Sequence, residues 1–179
     1  MGRARQNEPP MAEPLAYFLT WSTHGTWLPG DERGWIEYGR GWQLPDVVRK
    51  LEADSRMTED ACRFDGEQRD VVERQIAETC NIRRWELHAV NCRSNHVHVV
   101  VTANIEPKLV RNQLKAWSTR RLKELEAVRH DAQRCEREAT ALRENWWAER
   151  GSQRFINDSE GLEATILYVR DGQDRPREH

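Results

Sequence analysis

The chain has no apolar run near the ~18 residues needed to cross a membrane; its longest, Val97–Val101 ("VHVVV"), is strand-sized. The opening "MGRARQNEPPMAEP" has basic residues but lacks the apolar stretch of a secretory signal. Met11 is an alternative start, with residues 1–14 a disordered leader. Cysteine is scarce. Cys62, Cys80, Cys92 and Cys135 lie 18, 12 and 43 residues apart, and no CxxC pair occurs, which argues against a zinc ribbon. They read as separate thiols in a reducing compartment, so a cytoplasmic protein is expected. Apolar residues make up only 37% of the 179 positions and charged residues 32%. A core is still attainable because eight Trp, three Tyr and three Phe bring large apolar areas.

Lysine is also scarce, with 4 against 24 Arg. Base composition of the genome is the bland cause, yet arginine is also the better phosphate fork. The net charge of −2 conceals a gradient: residues 1–70 carry −4, 71–110 carry +1, 111–154 carry +4 and 155–179 carry −3. Positive charge is concentrated in the second half of the middle.

Residues 15–23, rich in aromatic and β-branched side chains, predict a strand. Residues 24–45 predict a long Gly/Trp-rich loop, with Trp21, Trp27, Trp35 and Trp42 at its start and along it. Those rings either fold back onto the core or form a surface that stacks on a ligand or bases. Residues 46–65 suggest one or two short helices, and an amphipathic helix follows from Gln68. Residues 85–92 alternate well enough to predict a strand, with Trp85, Leu87, Ala89 and Asn91 on one side and Glu86, His88, Val90 and Cys92 on the other. A tight turn and a second strand over 96–103 complete a hairpin. Residues 108–127 predict a helix with Leu109, Val110, Leu114, Trp117, Leu122 and Leu125 facing the core. A short strand at "SQRFI" and a C-terminal helix capped by Asp158 or Ser159 end the series. The order implies an α+β domain with an antiparallel sheet.

The segment that carries chemistry is "SNHVHVVV". Side chains at i and i+2 of a strand share a face, so His96 and His98 project side by side while Val97, Val99 and Val101 face the core. Two imidazoles so placed either meet water and each other or hold one metal ion, which would act on a phosphodiester as a Lewis acid. A nucleophile is then required. Tyr17 lies in the first strand, Tyr38 in the loop and Tyr168 on the C-terminal helix, where a packing role is the plain alternative. Asn95 reads as a turn residue, and His88 as a neighbour on the adjacent strand. Arg111, Lys115, Arg120 and Arg121 on the long helix form either a solvated face or a DNA-backbone contact.

"HVH" on a strand after "SN", with a lone helical Tyr near the C-terminus, resembles the single-tyrosine HUH transposases of the insertion sequence 200 type. "YFLTWSTHGTWLPGDERGW", "LKAWSTRRLKEL" and "WWAERGSQRFI" are similar to the REP-associated tyrosine transposases, in order from residue 15 to 173. The resemblance implies one HUH endonuclease domain over 15–173 and a tail at 174–179. Its fold would be a ferredoxin-like or RRM-like antiparallel β-sheet with helices on one face. It implies that His96 and His98 bind Mg²⁺ or Mn²⁺ and that Tyr168 attacks single-stranded or hairpin DNA, leaving a 5′-phosphotyrosine and a 3′-hydroxyl. Relatives often carry a polar ligand four residues after the Tyr; here that position is Gly172, so Gln173 or Asp171 would have to serve. Gly172 favours a second reading, a non-cleaving DNA-hairpin-binding relative. An unrelated two-histidine hydrolase leaves the Tyr helix unexplained. The expected partner is DNA, not a membrane, at the nucleoid. A homodimer is one expectation that the sequence does not fix.

Overall fold

The structure, a computed structural model, describes residues 13–37, 39–133 and 142–171. Tyr38, Cys135, Gly172, Gln173, most of the leader and the 174–179 tail lie outside the described residues. In chain order the elements are β1 (Ala16–Ser22), β2 (Trp35–Glu37), β3 (Gly41–Gln43), α1 (Val47–Ser55), α2 (Gly66–Arg83), β4 (Glu86–Cys92), β5 (His96–Thr102), α3 (Pro107–Gln133), β6 (Ser152–Ile156) and α4 (Ser159–Arg170). Strands β4-β5-β1-β6 form one sheet in that order, every neighbouring pair antiparallel. With α2 after β1 and α3 after β5, this is the βαββαβ ferredoxin-like pattern expected from the sequence.

The valine side of β5 organises the larger core. Val97, Val99 and Val101 are fully buried with Leu19 and Trp21 of β1, under Val72 and Ile76 of α2 and Val110, Leu114 and Leu122 of α3. Asp65 starts α2 with a capping box: its side chain accepts from Gln68 N, and the Gln68 side chain accepts from Asp65 N. Asp158 starts α4 by accepting from Gly161 N at 2.7 Å.

Three sequence expectations change. First, helices lie on both faces. α4 packs on β4 and β5 from the side opposite α2 and α3, over Ala16, Ala89, Val100 and Ile156. Its Leu162, Ile166 and Val169 are apolar enough to close a second, smaller core. Second, β4 does not keep Leu87 and Ala89 on one side. A bulge between Leu87 and Ala89 pairs them with Val101 and Val100, so Leu87 joins Val90 and Cys92 on the larger core while Ala89 turns to α4. Third, α3 buries Val110, Arg111, Leu114, Ser118 and Leu122, an i, i+4 stripe, and leaves Leu109 and Trp117 exposed.

The Trp rings at the start of the Gly/Trp-rich loop and along it divide between core and surface. Trp21 and Trp35 are buried, whereas Trp27 and Trp42 remain 41% and 59% exposed at the small β2–β3 hairpin. Trp27 Nε1 still donates to Gly34 O at 2.8 Å. Among the described residues Cys62, Cys80 and Cys92 are free, buried thiols, and burial pushes Cys62 and Cys80 up to about 11. None is a reactive thiolate.

Candidate active site

The face of the sheet beneath α4 carries the two histidines. Register places Ser22, Thr20 and Phe18 of β1 opposite His96, His98 and Val100 of β5. Asn91 of β4 lies opposite His98 on the other side. The two imidazole centroids are 4.7 Å apart, nearly perpendicular. Tyr168, on the last turns of α4, brings its ring to 5.9 Å from that of His98. Phe18 is the hub. It stacks on His98 at 5.5 Å, meets Tyr168 at right angles at 6.1 Å, and lies under the Arg154 guanidinium at 5.4 Å. His98 is 8% exposed and Tyr168 47% exposed, so a buried imidazole sits beside an accessible hydroxyl-bearing ring.

Hydrogen bonds hold this geometry. Thr20 Oγ1 and His98 Nδ1 are 2.9 Å apart. His96 Nδ1 lies 2.7 Å from Asn95 Oδ1, an acceptor, so this nitrogen carries the proton. Asn95 also does the structural work expected of it, its carbonyl accepting from Thr23 N, Thr23 Oγ1 and Thr26 Oγ1. Asn91 Nδ2 donates to Val169 O and Arg170 to His88 O, which tie the end of α4, and hence Tyr168, to β4.

Both rings are thus oriented through Nδ1; for His96 the acceptor Asn95 Oδ1 fixes the tautomer that offers Nε2, as behind metal-binding histidines, whereas the Thr20 hydroxyl can serve His98 as donor or acceptor. Burial, followed by the charges of His96 and Arg93, pushes His98 down to about 4, so it is neutral near pH 7, the form a metal ion needs. The residues present therefore fit a divalent ion held through Nε2 of His96 and His98. Among the described residues no cluster of three or more His, Cys, Asp and Glu side chains occurs. Asp171 caps the C-terminus of α4 with an exposed side chain, and Gln173 lies outside the described residues.

The same shift makes stability pH-dependent. The folded value, about 4, is below the unfolded 6.5, so the unfolded chain binds the extra proton first as pH falls. The contribution is complete above pH 6.5 and is lost between 6.5 and 4, by roughly 3 kcal/mol. Chelator-treated protein unfolded in urea at pH 7 and pH 4.5 should show this loss, and the His98→Gln variant should show a smaller one. Equal losses would mean that other groups govern the acid transition.

The structure does not bring the four basic residues of α3 to the histidine pair. α3 is on the opposite side of the sheet. Arg111 is buried and donates to Gly151 O at 3.0 Å; Lys115 donates to Ala148 O and Arg150 O at 2.7 and 3.0 Å. Burial, with the Arg111 charge, pushes Lys115 down to about 8. These two cations anchor the segment that enters β6. Arg120 pairs with Glu124, and Arg121 with Gln75, Glu78 and Glu124. His88 bonds Thr102 Oγ1, toward the far end of the strand from His96. Sequence reasoning missed Phe18, Thr20, Asn91 and Arg154. The first three were hidden because their role depends on strand register. Arg154 stood in a strand of the right face parity, but nothing in "SQRFI" tied it to β5.

Comparison with known proteins gives three findings. The family profile described as "Transposase IS200 like" matches residues 57–149, more than half of the chain, and includes His96 and His98. A solved REP-associated tyrosine transposase bound to a REP hairpin is 12% identical, with a TM-score of 0.45 over 94% of this chain and 70% of that one. A protein described as a transposase of Deinococcus radiodurans is 19% identical, with a TM-score of 0.42 over 97% and 98% of the two chains. No curated protein sequence matches the chain.

Proposed function

The chain belongs to the IS200-like transposase family, and from that premise we propose that it is a metal-dependent single-strand DNA endonuclease and strand transferase that works through Tyr168. The observation that carries this reading is the convergence of His96, His98 and Tyr168 on one sheet face, with His98 within 4.7 and 5.9 Å of the other two rings. The substrate is single-stranded DNA next to a hairpin, as the resemblance implies, and the protein acts in the cytoplasm at the nucleoid. Among the described residues no helix is long and apolar enough to cross a membrane.

His96 and His98 would hold Mg²⁺ or Mn²⁺, with Gln173 or Asp171 as the further ligand. The bound ion supplies Lewis-acid withdrawal of charge from the phosphate. Thr20 and Asn95 hold the two rings through their Nδ1 atoms, which leaves Nε2 as the atom through which each ring would bind the ion. The Tyr168 oxygen attacks phosphorus and gives its proton to solvent. A bond forms from that oxygen to phosphorus, and the bond from phosphorus to the 3′ oxygen breaks. The departing oxygen takes a proton and leaves as a 3′-hydroxyl. The phosphotyrosine conserves one phosphodiester-like bond, so the reverse attack by a 3′-hydroxyl rejoins the strand without ATP. Arg120 and Arg121, exposed on α3, are paired with Glu78 and Glu124 and have no part in the reacting bond.

The polarity of the adduct tests this. A hairpin oligonucleotide labelled at its 3′ end should yield labelled protein on a denaturing gel with Mn²⁺ and none with chelator. The same strand labelled at its 5′ end should release a free fragment. Tight binding without adduct under every condition would favour the non-cleaving reading.

A further inference from the structure

We propose that Arg154 binds a phosphate of the DNA strand at the His96–His98–Tyr168 face. The inference rests on the transposase reading above and adds a residue that the HUH resemblance does not supply. β6 is an edge strand, and Arg154 pairs with Phe18, which pairs with Val100. Side chains two apart on a strand share a face, so Arg154 stands on the same face as His98 and His96. Its guanidinium lies over Phe18, the ring that also touches His98 and Tyr168.

Arg154, like Arg170, which donates to His88 O, differs from many of the other cations in what it is bonded to. Arg33, Arg49, Arg120, Arg121, Arg129 and Arg143 all pair with carboxylates. Arg111 and Lys115 are taken up by backbone carbonyls. Arg154 is exposed, and its hydrogen-bond partner is neutral: one terminal nitrogen donates to Thr165 Oγ1 at 2.8 Å, and Thr165 donates onward to Gly161 O at 2.6 Å. Among the described residues no carboxylate neutralises it. A guanidinium has five N–H donors in a fork that matches two phosphate oxygens, and the Thr165 bond uses one of them. Thr165 and the Phe18 ring hold the group in place before the strand arrives, which lowers the ordering cost of binding. The result is a preset positive charge at the rim of the site, on an edge strand of the sheet.

The competing explanation is that Arg154 merely ties α4 to β6. The two separate by salt dependence. Binding of fluorescein-labelled oligothymidylate is followed by anisotropy across a salt series, in a Tyr168→Phe background that cannot cleave. Losing one phosphate contact should flatten the log–log slope by about 0.7 and weaken binding several-fold at low salt. We expect that from Arg154→Gln. Arg154→Lys keeps the charge and should keep the slope, and it tests the claim even if the Gln variant does not fold. Thr165→Val removes the tie but leaves the guanidinium, so its slope should match the parent. An unchanged slope in Arg154→Gln, a lost slope in Arg154→Lys, or an equal loss in Thr165→Val would each overturn the assignment. A wild-type adduct together with any of these removes Arg154 alone, whereas a parent protein that binds no single strand removes the transposase reading as well.

Discussion

Tyr168→Phe should abolish covalent attachment to labelled hairpin DNA while leaving binding within about twofold of wild type. The change deletes one oxygen. The ring contacts with Phe18 and His98 are made by ring carbons that Phe retains, so α4 should dock as before. The anchors of that helix end, Asn91 to Val169 O and Arg170 to His88 O, do not involve the Tyr168 hydroxyl. Losing the nucleophile removes the step that forms the adduct, for which a fall of about 10⁴-fold or more is the usual scale. Thermal melting should place the variant within about 0.5 kcal/mol of wild type, as for an exposed position. An adduct band surviving at wild-type intensity would take Tyr168 out of the reaction. Tyr17 would then be the next phenol to test, although its hydroxyl-bearing ring belongs to the opposite face of β1.

The parts of this site that could be read in the chain are those governed by short-range parity. The i, i+2 spacing of His96 and His98 decides their shared face whatever the rest of the fold does, and "VHVVV" decides that the other face is core. The βαββαβ order follows from element types in sequence, because short connections leave few topologies. What could not be read depends on pairing at long range. Whether Thr20 or Leu19 meets His98 turns on the β1–β5 register, across 78 residues. The bulge after Leu87 reversed the apparent faces of β4 and could not be seen in a pattern of alternating apolar residues. Helix α4 was expected from its cap and its apolar stripe, but that stripe does not say which face of the sheet it covers. Arg111 and Lys115 read as surface charge because nothing in the sequence of α3 announces the carbonyls of 148–152 that absorb them. Charge counted along the chain thus pointed at α3, whereas an exposed cation on the site face, bonded to a neutral hydroxyl, sits 33 residues further on from Arg121, at Arg154.

The second large effect concerns the histidines themselves. His96→Ala and His98→Ala should each weaken Mn²⁺ binding by more than the roughly 10–100-fold that removing a hydrogen-bond partner behind a ligand costs. Both should also lose detectable cleavage. The two variants differ in stability, which separates metal loss from misfolding. His96 is half-buried at the start of β5, and its removal should cost little. His98 is nearly buried and stacked on Phe18, so Ala leaves a gap there and should cost about 1–3 kcal/mol. Thr20→Val supplies the intermediate case. It keeps both rings and the shape of the site but removes the bond at His98 Nδ1, so Mn²⁺ affinity should fall by about 10–100-fold with cleavage reduced, not abolished. Calorimetric titration of Mn²⁺ into each purified variant reads the affinities, and urea unfolding reads the stabilities. If both alanine variants bind Mn²⁺ as the wild type does, the pair is a polar patch beneath α4, and the reaction must draw its metal from another part of the chain.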